Sequence, residues 1–179
     1  MDIILNEIVE DVLNLEVLKP LDIPDIDLYM DQILTLFDNK MASTKRNKED
    51  KLLTKTMINN YSKAKVIEPV KGKKYTKQQI LQMLVVFNLK NNLTINEIKE
   101  LLEPIYNNQD DIVDIYQEYL ESTDNLNKNT IKMFSDSFDN KVNNERDMLL
   151  TIMKLSYLSN NINKTILKLI DSGKENNNG

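Results

Sequence analysis

The chain has 179 residues, 41% of them hydrophobic, with a formal net charge of -5 and a pI near 4.9. That length suits one domain or two small ones closely packed. It contains no cysteine and no histidine, which excludes disulfides, thiolate zinc sites, Cys/His nucleophile pairs and imidazole general bases.

Three glycines and four prolines are few, and both break helices, so the chain is expected to be mostly α. Residues 3–18 read as an amphipathic helix with Ile4, Ile8, Val12 and Leu15 at helical spacing. Pro20 and Pro24 end it. Asp25 or Asp27 can cap a second helix running to about Met41, with Leu28, Ile33, Leu34, Phe37 and Met41 inward. The stretch "ASTKRNKEDK" is polar and aperiodic and reads as an exposed loop, the opposite reading being that the helix runs on into it.

A third helix starts after Thr54. Leu53, Met57, Tyr61 and Ala64 fall on one face, and Lys55, Thr56, Asn59, Asn60 and Lys63 on the other. It stops before Pro69, and "EPVKGKKYT" suits a tight two-stranded wing. Thr76 can cap the next helix, whose inner face would be Ile80, Leu84, Phe87 or Val86, and Leu89. Asn92 reads as a left-handed stop. Thr94 with Glu97 forms a capping box opening a helix with Ile95, Ile98, Leu101 and Leu102 inward. After Pro104 come a short helix near residues 111–120 and another near 131–138. Asp110, Asp111 and Asp114 read as a carboxylate cluster at a helix start, in preference to a metal site.

The last helix, about residues 144–171, carries Met148, Ile152, Leu155, Ser159, Ile162, Ile166 and Leu169 in steps of four and three. This is a heptad seam with one polar break, either a dimer interface or internal core; the dimer is preferred. Residues 173–179 read as a disordered tail. The expected organisation is an N-terminal helix over 1–24, a central domain over 25–104, a helical dimerisation region over 105–172 and the tail.

Charge is segregated along the chain. Residues 1–39 hold one base and ten acids, 40–90 hold thirteen bases and three acids, and 91–179 hold nine bases and fifteen acids. The middle third is the candidate for an anionic partner. Its lysines cluster around the Pro69 and Gly72 turn, at Lys63, Lys65, Lys71, Lys73 and Lys74.

The order of helix, basic turn with Pro, aromatic-ended wing, helix, Asn stop and helix resembles the MerR-type winged helix-turn-helix domain. Ile58, Asn59 and Tyr61 match that family's Ile-Arg-x-Tyr, Val66, Ile67 and Pro69 its Leu-Leu-x-Pro, and Lys73, Lys74 and Tyr75 its wing. "LTINEIKELL" matches its helix-helix junction. The departures are Asn59 for Arg, Lys65 for Gly, a longer loop around residues 42–52 and the acidic N-terminal helix. The chain also resembles an uncharacterised family, a domain of unknown function, from low-GC Gram-positive bacteria.

The fold expected is therefore mostly α, a winged helix-turn-helix with a short β wing and added helices at both ends. The function expected is sequence-specific double-stranded DNA binding, as a homodimeric transcriptional regulator in the cytoplasm. Lys55, Thr56, Asn59, Asn60, Lys63, Lys71, Lys73, Lys74 and Tyr75 are the expected DNA contacts; Met148, Ile152, Leu155, Ile162, Ile166 and Leu169 are the expected dimer contacts. Tyr75 is read first as a packing residue. No catalytic residue, metal, cofactor or membrane association is expected, and an unidentified small-molecule effector is left open. The alternative is an adaptor whose basic face meets an acidic protein.

Overall fold

A computed structural model describes residues 3–108 and 111–177. It is mostly helical, with seven α-helices and two two-stranded sheets among the described residues. The chain divides into two compact units, Leu15–Ser122 and a second made of Met1–Asn14 with Thr123–Gly179. The division differs from the serial order expected, because the two ends of the chain fold together.

In Leu15–Ser122 the elements in chain order are β2 (Leu28–Tyr29), α2 (Met30–Lys40), α3 (Lys55–Ala64), β3 (Lys74–Tyr75), α4 (Lys77–Leu89) and α5 (Ile95–Asn107), followed by the first part of α6 (Ile112–Ser137). The centre is α4. Its sequence is apolar on every side, and Ile80, Leu81, Met83, Leu84 and Val86 are all fully buried. It is thus a central helix rather than the one-faced helix that the spacing suggested. Ile33 and Phe37 of α2, Ile58 and Tyr61 of α3, and Ile98 and Leu102 of α5 share the core with it, together with Leu18, Ile23, Val66 and Ile67 from the connecting segments. Phe37 meets Phe87 edge-on, with centroids 6.1 Å apart. Leu101, expected inward, is exposed.

Local chemistry explains most element ends. Thr54, Thr76 and Thr94 each accept the backbone N–H three residues on, and Gln79 and Glu97 reach back to the Thr76 and Thr94 amides. The α2 start is set by Gln32 accepting from Tyr29 N–H at 2.8 Å, not by Asp25 or Asp27. The loop after Met41 contains a short 3-10 turn, Ala42–Thr44, and an Asn47–Asp50 turn. At the end of α3, Lys65 adopts φ 59° and ψ 34°, the left-handed region. It is the only non-glycine residue with positive φ among those described, so Asn92, expected as a left-handed stop, is not one. The conformation explains why the resembling family has Gly there: any side chain costs about 1–2 kcal/mol.

Three further expectations are corrected. "EPVKGKKYT" does not fold back on itself as a wing hairpin; β3 pairs antiparallel with β2, Leu28 opposite Tyr75 and Tyr29 opposite Lys74. Those two pairs bury one side chain from each strand, Leu28 and Tyr75. Pro104 lies inside α5, which runs on to Asn107. The helices expected near 111–120 and 131–138 are one continuous helix, α6.

In the other unit, β1 (Ile3–Ile4) pairs antiparallel with β4 (Lys141–Val142). It leads into α1 (Leu5–Leu13), which buries Leu5 and Val9, while Ile8, Val12 and Leu15 are exposed. The inward stripe is therefore one residue out of step with that expected. Side-chain amides fasten α1: Asn127 Nδ2 donates to Leu13 O at 3.1 Å and Asn6 Nδ2 to Ser135 Oγ at 3.2 Å. The last helix, α7, spans Glu145–Asn177. It includes residues 173–177, which the sequence assigns to a tail; residues 178–179 lie outside those described.

Tyr116 gives this fold an alkaline limit. Its hydroxyl donates to Leu18 O at 3.2 Å, in a buried position. Burial, opposed by a hydrogen bond with Asn88, pushes its pKa up to about 12, against about 10 in an unfolded chain. The neutral phenol is the form the fold favours. Its contribution is complete below pH ~10 and lost as pH rises from there towards about 12. Tyr116→Phe should cost about 1 kcal/mol at pH 8. The gap to wild type should close between pH 10 and 12 in urea denaturation followed by circular dichroism.

Candidate nucleic-acid interface

The third helix presents the face its sequence suggested. Ile58 and Tyr61 are buried, Met57 and Ala64 are half-buried, and Lys55, Thr56, Asn59, Asn60 and Lys63 are all exposed. Ile58, which spacing alone does not place inward, is the most deeply buried residue of α3. The basic turn follows directly, with Lys65, Lys71, Lys73 and Lys74 exposed around Gly72, itself at φ 82°.

The turn is held from beneath by three side chains. Gln82 Oε1 accepts from Glu68 N–H at 2.8 Å. Gln79 Nε2 donates to Pro69 O at 3.0 Å, and Tyr106 Oη donates to Val66 O at 3.0 Å. Burial raises the Tyr106 pKa well above the usual phenol value, with the Glu68 charge adding to it, so the phenol stays a donor. Residues 66–69 are thereby fixed to α4 and α5 just ahead of the lysines. Sequence reasoning does not single out these positioning residues. A signal exists in Gln82, a lone amide inside "ILQMLVV"; an amide there needs a polar partner.

Tyr75 is buried, and its pKa is raised by burial and lowered in part by a hydrogen bond with Ser62. It ties β3 to α3 and is not displayed to solvent, a correction to its place among the expected DNA contacts. Lys74 lies over the Tyr29 ring, 5.0 Å from its centroid.

Charge segregation along the chain has a structural counterpart. Four ion pairs are formed among the described residues: Lys40–Asp22 at 2.6 Å, Lys45–Asp38 at 3.0 Å, Lys55–Asp31 at 2.6 Å and Lys77–Asp25 at 2.8 Å. Each joins an acid of the N-terminal third to a lysine of the middle third. The Asp22 carboxyl is held below its usual pKa chiefly by its hydrogen bond to Lys40. Lys63, Lys65, Lys71 and Lys73 are not among the paired bases. The acidic flank thus pairs with four of the segment's thirteen bases, and the end of α3 and the turn are among the parts it leaves unpaired.

The expected dimer contacts lie on α7, which has no buried residue among those described. Ile152, Ile162 and Leu169 are 51%, 54% and 74% exposed, and Met148, Leu155 and Ile166 are half-buried. The seam is therefore not internal core of this chain. The Asp cluster is a helix start: Asp111 Oδ1 accepts from Val113 N–H at 2.8 Å. Asp110 lies outside the described residues, and no group of three or more carboxylates able to hold a metal occurs among them.

A family model described as "Domain of unknown function (DUF1836)" matches residues 18–122. The chain belongs to the DUF1836 family. The DUF1836 match and the compact unit Leu15–Ser122 end at the same residue, so the family's domain is that unit. No curated protein and no solved structure matches the chain. No helix among the described residues of this DUF1836 protein is long and apolar enough to cross a membrane.

The Gln82 bond can be tested directly. Gln82→Leu keeps the volume and removes the acceptor of Glu68 N–H. A part-buried donor left alone costs about 1–3 kcal/mol. Because Gln82 Nε2 is itself buried without a partner, the loss should fall at the low end of that range in urea denaturation.

Proposed function

We propose that this DUF1836 protein binds double-stranded DNA sequence-specifically as a homodimer and regulates transcription in the cytoplasm. Its central unit would act as a winged helix-turn-helix of MerR type. The observation that carries the reading is the exposed face of α3, which leads into Lys63, Lys65, Lys71 and Lys73, exposed lysines that take no part in the four ion pairs formed among the described residues. In such a domain a helix enters the major groove and an adjoining turn follows the phosphates. Lys71, Lys73 and Lys74 would meet phosphates and give affinity without sequence preference. Asn59 and Asn60 are the amides placed to read base edges, since an amide pairs bidentately with adenine. Lys55 would exchange its exposed pairing with Asp31, 2.6 Å away, for a phosphate; exposed pairs of this kind are weak. The exposed stripe of α7 supports the dimer.

Two measurements test the reading. In a salt titration followed by fluorescence anisotropy, replacing Lys73 and Lys74 with Ala should weaken binding to all duplexes alike. The log-log slope should fall by about 0.9 for each phosphate that is no longer neutralised. In a random-oligonucleotide selection, Asn59→Ala with Asn60→Ala should flatten the preference, costing about 1–3 kcal/mol of discrimination per bidentate pair. Nonspecific affinity and helicity should stay near wild type. If the wild type enriches no motif at low salt, the regulator reading fails and the adaptor, binding an acidic protein, replaces it.

A further inference from the structure

The exposed stripe of α7 has a composition that selects one kind of partner. Numbered as heptads, its d positions are Met148, Leu155, Ile162 and Leu169, and its a positions are Ile152, Ser159 and Ile166. β-Branched residues at a with Leu at d favour two parallel strands, and here two of the three a positions are Ile and two of the four d positions are Leu. The flanking e positions are Leu149, Ser156, Asn163 and Ile170, and the g positions Thr151, Leu158 and Thr165, none of them charged. Between Met148 and Leu169 the charged residues are Lys154, Lys164 and Lys168, at c, f and c, on the far side of the helix. A second identical copy therefore meets no like charge across the seam.

The structure adds that no residue of the stripe is buried within this chain. The end of α6 approaches α7 from another side. Met133, Ser137 and Phe138 line an apolar groove of about 510 Å³ with Leu150, Met153, Lys154, Tyr157 and Leu158 of α7, which occupy f, b, c, f and g positions, none of them a or d. Of the a and d positions, Ile152, Ser159, Ile162 and Leu169 are exposed and Met148, Leu155 and Ile166 half-buried, and α7 is helical without a break across the whole stripe.

We propose that two copies of this chain pair through α7 in parallel and in register, with Ser159 against Ser159. The proposal rests on the homodimer reading above and fixes its geometry. The polar break decides the orientation. In parallel pairing, a meets a, and the two Ser159 hydroxyls hydrogen-bond to each other. In antiparallel pairing, a meets d, and each hydroxyl is set against Leu155 or Ile162 of the partner copy, where it has no matching polar group.

The absence of cysteine makes the test direct, because Ser159→Cys introduces the protein's only thiol. The substitution is nearly isosteric and sits at an exposed position, so circular dichroism should be unchanged. Parallel pairing brings the two Cα atoms within the ~7 Å a disulfide tolerates. Under mild oxidation Ser159→Cys should form covalent dimer at least about tenfold faster than Lys164→Cys, whose thiol points away from the seam. If sedimentation shows a dimer but Ser159→Cys links no faster than Lys164→Cys, the parallel arrangement is overturned and the homodimer stands. Rapid linking in a mixture of Leu155→Cys and Ser159→Cys would then identify antiparallel pairing. If the wild type sediments as a monomer at micromolar concentration, the homodimer and its geometry both fall.

Discussion

The burial of α4 on every side is the constraint on which the central unit depends. Ile80, Leu81, Met83, Leu84 and Val86 lie too close together around the helix to be covered by one neighbour. The helices α2, α3 and α5 each bury residues in the same core, so the inner face of α3 is committed by packing. Once Ile58 and Tyr61 are inside, Asn59, Asn60 and Lys63 are left on the exposed face, with Lys55 beside them paired to Asp31. The same helix α4 supplies Gln79 and Gln82, whose amides hold the backbone ahead of the basic turn. One element thus sets both parts of the candidate interface.

The second organising influence is charge. An acidic protein concentrates bases in its middle third, and its own N-terminal acids take up Lys40, Lys45, Lys55 and Lys77. These pairs are exposed to different degrees, and exposed pairs contribute little to stability. Their larger effect is on the field: they reduce positive charge at the edge of the segment while Lys63, Lys65, Lys71 and Lys73 keep theirs.

The unit formed by the two chain ends is built differently. Its β1–β4 pairing and the amide hydrogen bonds of Asn6 and Asn127 fasten α1 in place, yet α7 buries no described side chain.

The sequence alone determined the features that depend on neighbours a few residues away. The Thr54, Thr76 and Thr94 caps, the inward set on α2, the polar face of α3 and the heptad steps of α7 all follow from side chains within one or two helical turns. Tertiary structure decided what depends on distant partners. Leu28 and Tyr29 supply the strand that the basic turn lacks. Tyr106 sits beyond Pro104, in a helix the proline was expected to end, and reaches Val66 O. Tyr75 turned inward because Leu28 opposite it is buried too. The N-terminal helix shifted its buried stripe to Leu5 and Val9 because its covering elements come from the other end of the chain. Periodicity measures how apolar residues are spaced along a helix. It carries no information about which remote segment will pack against them.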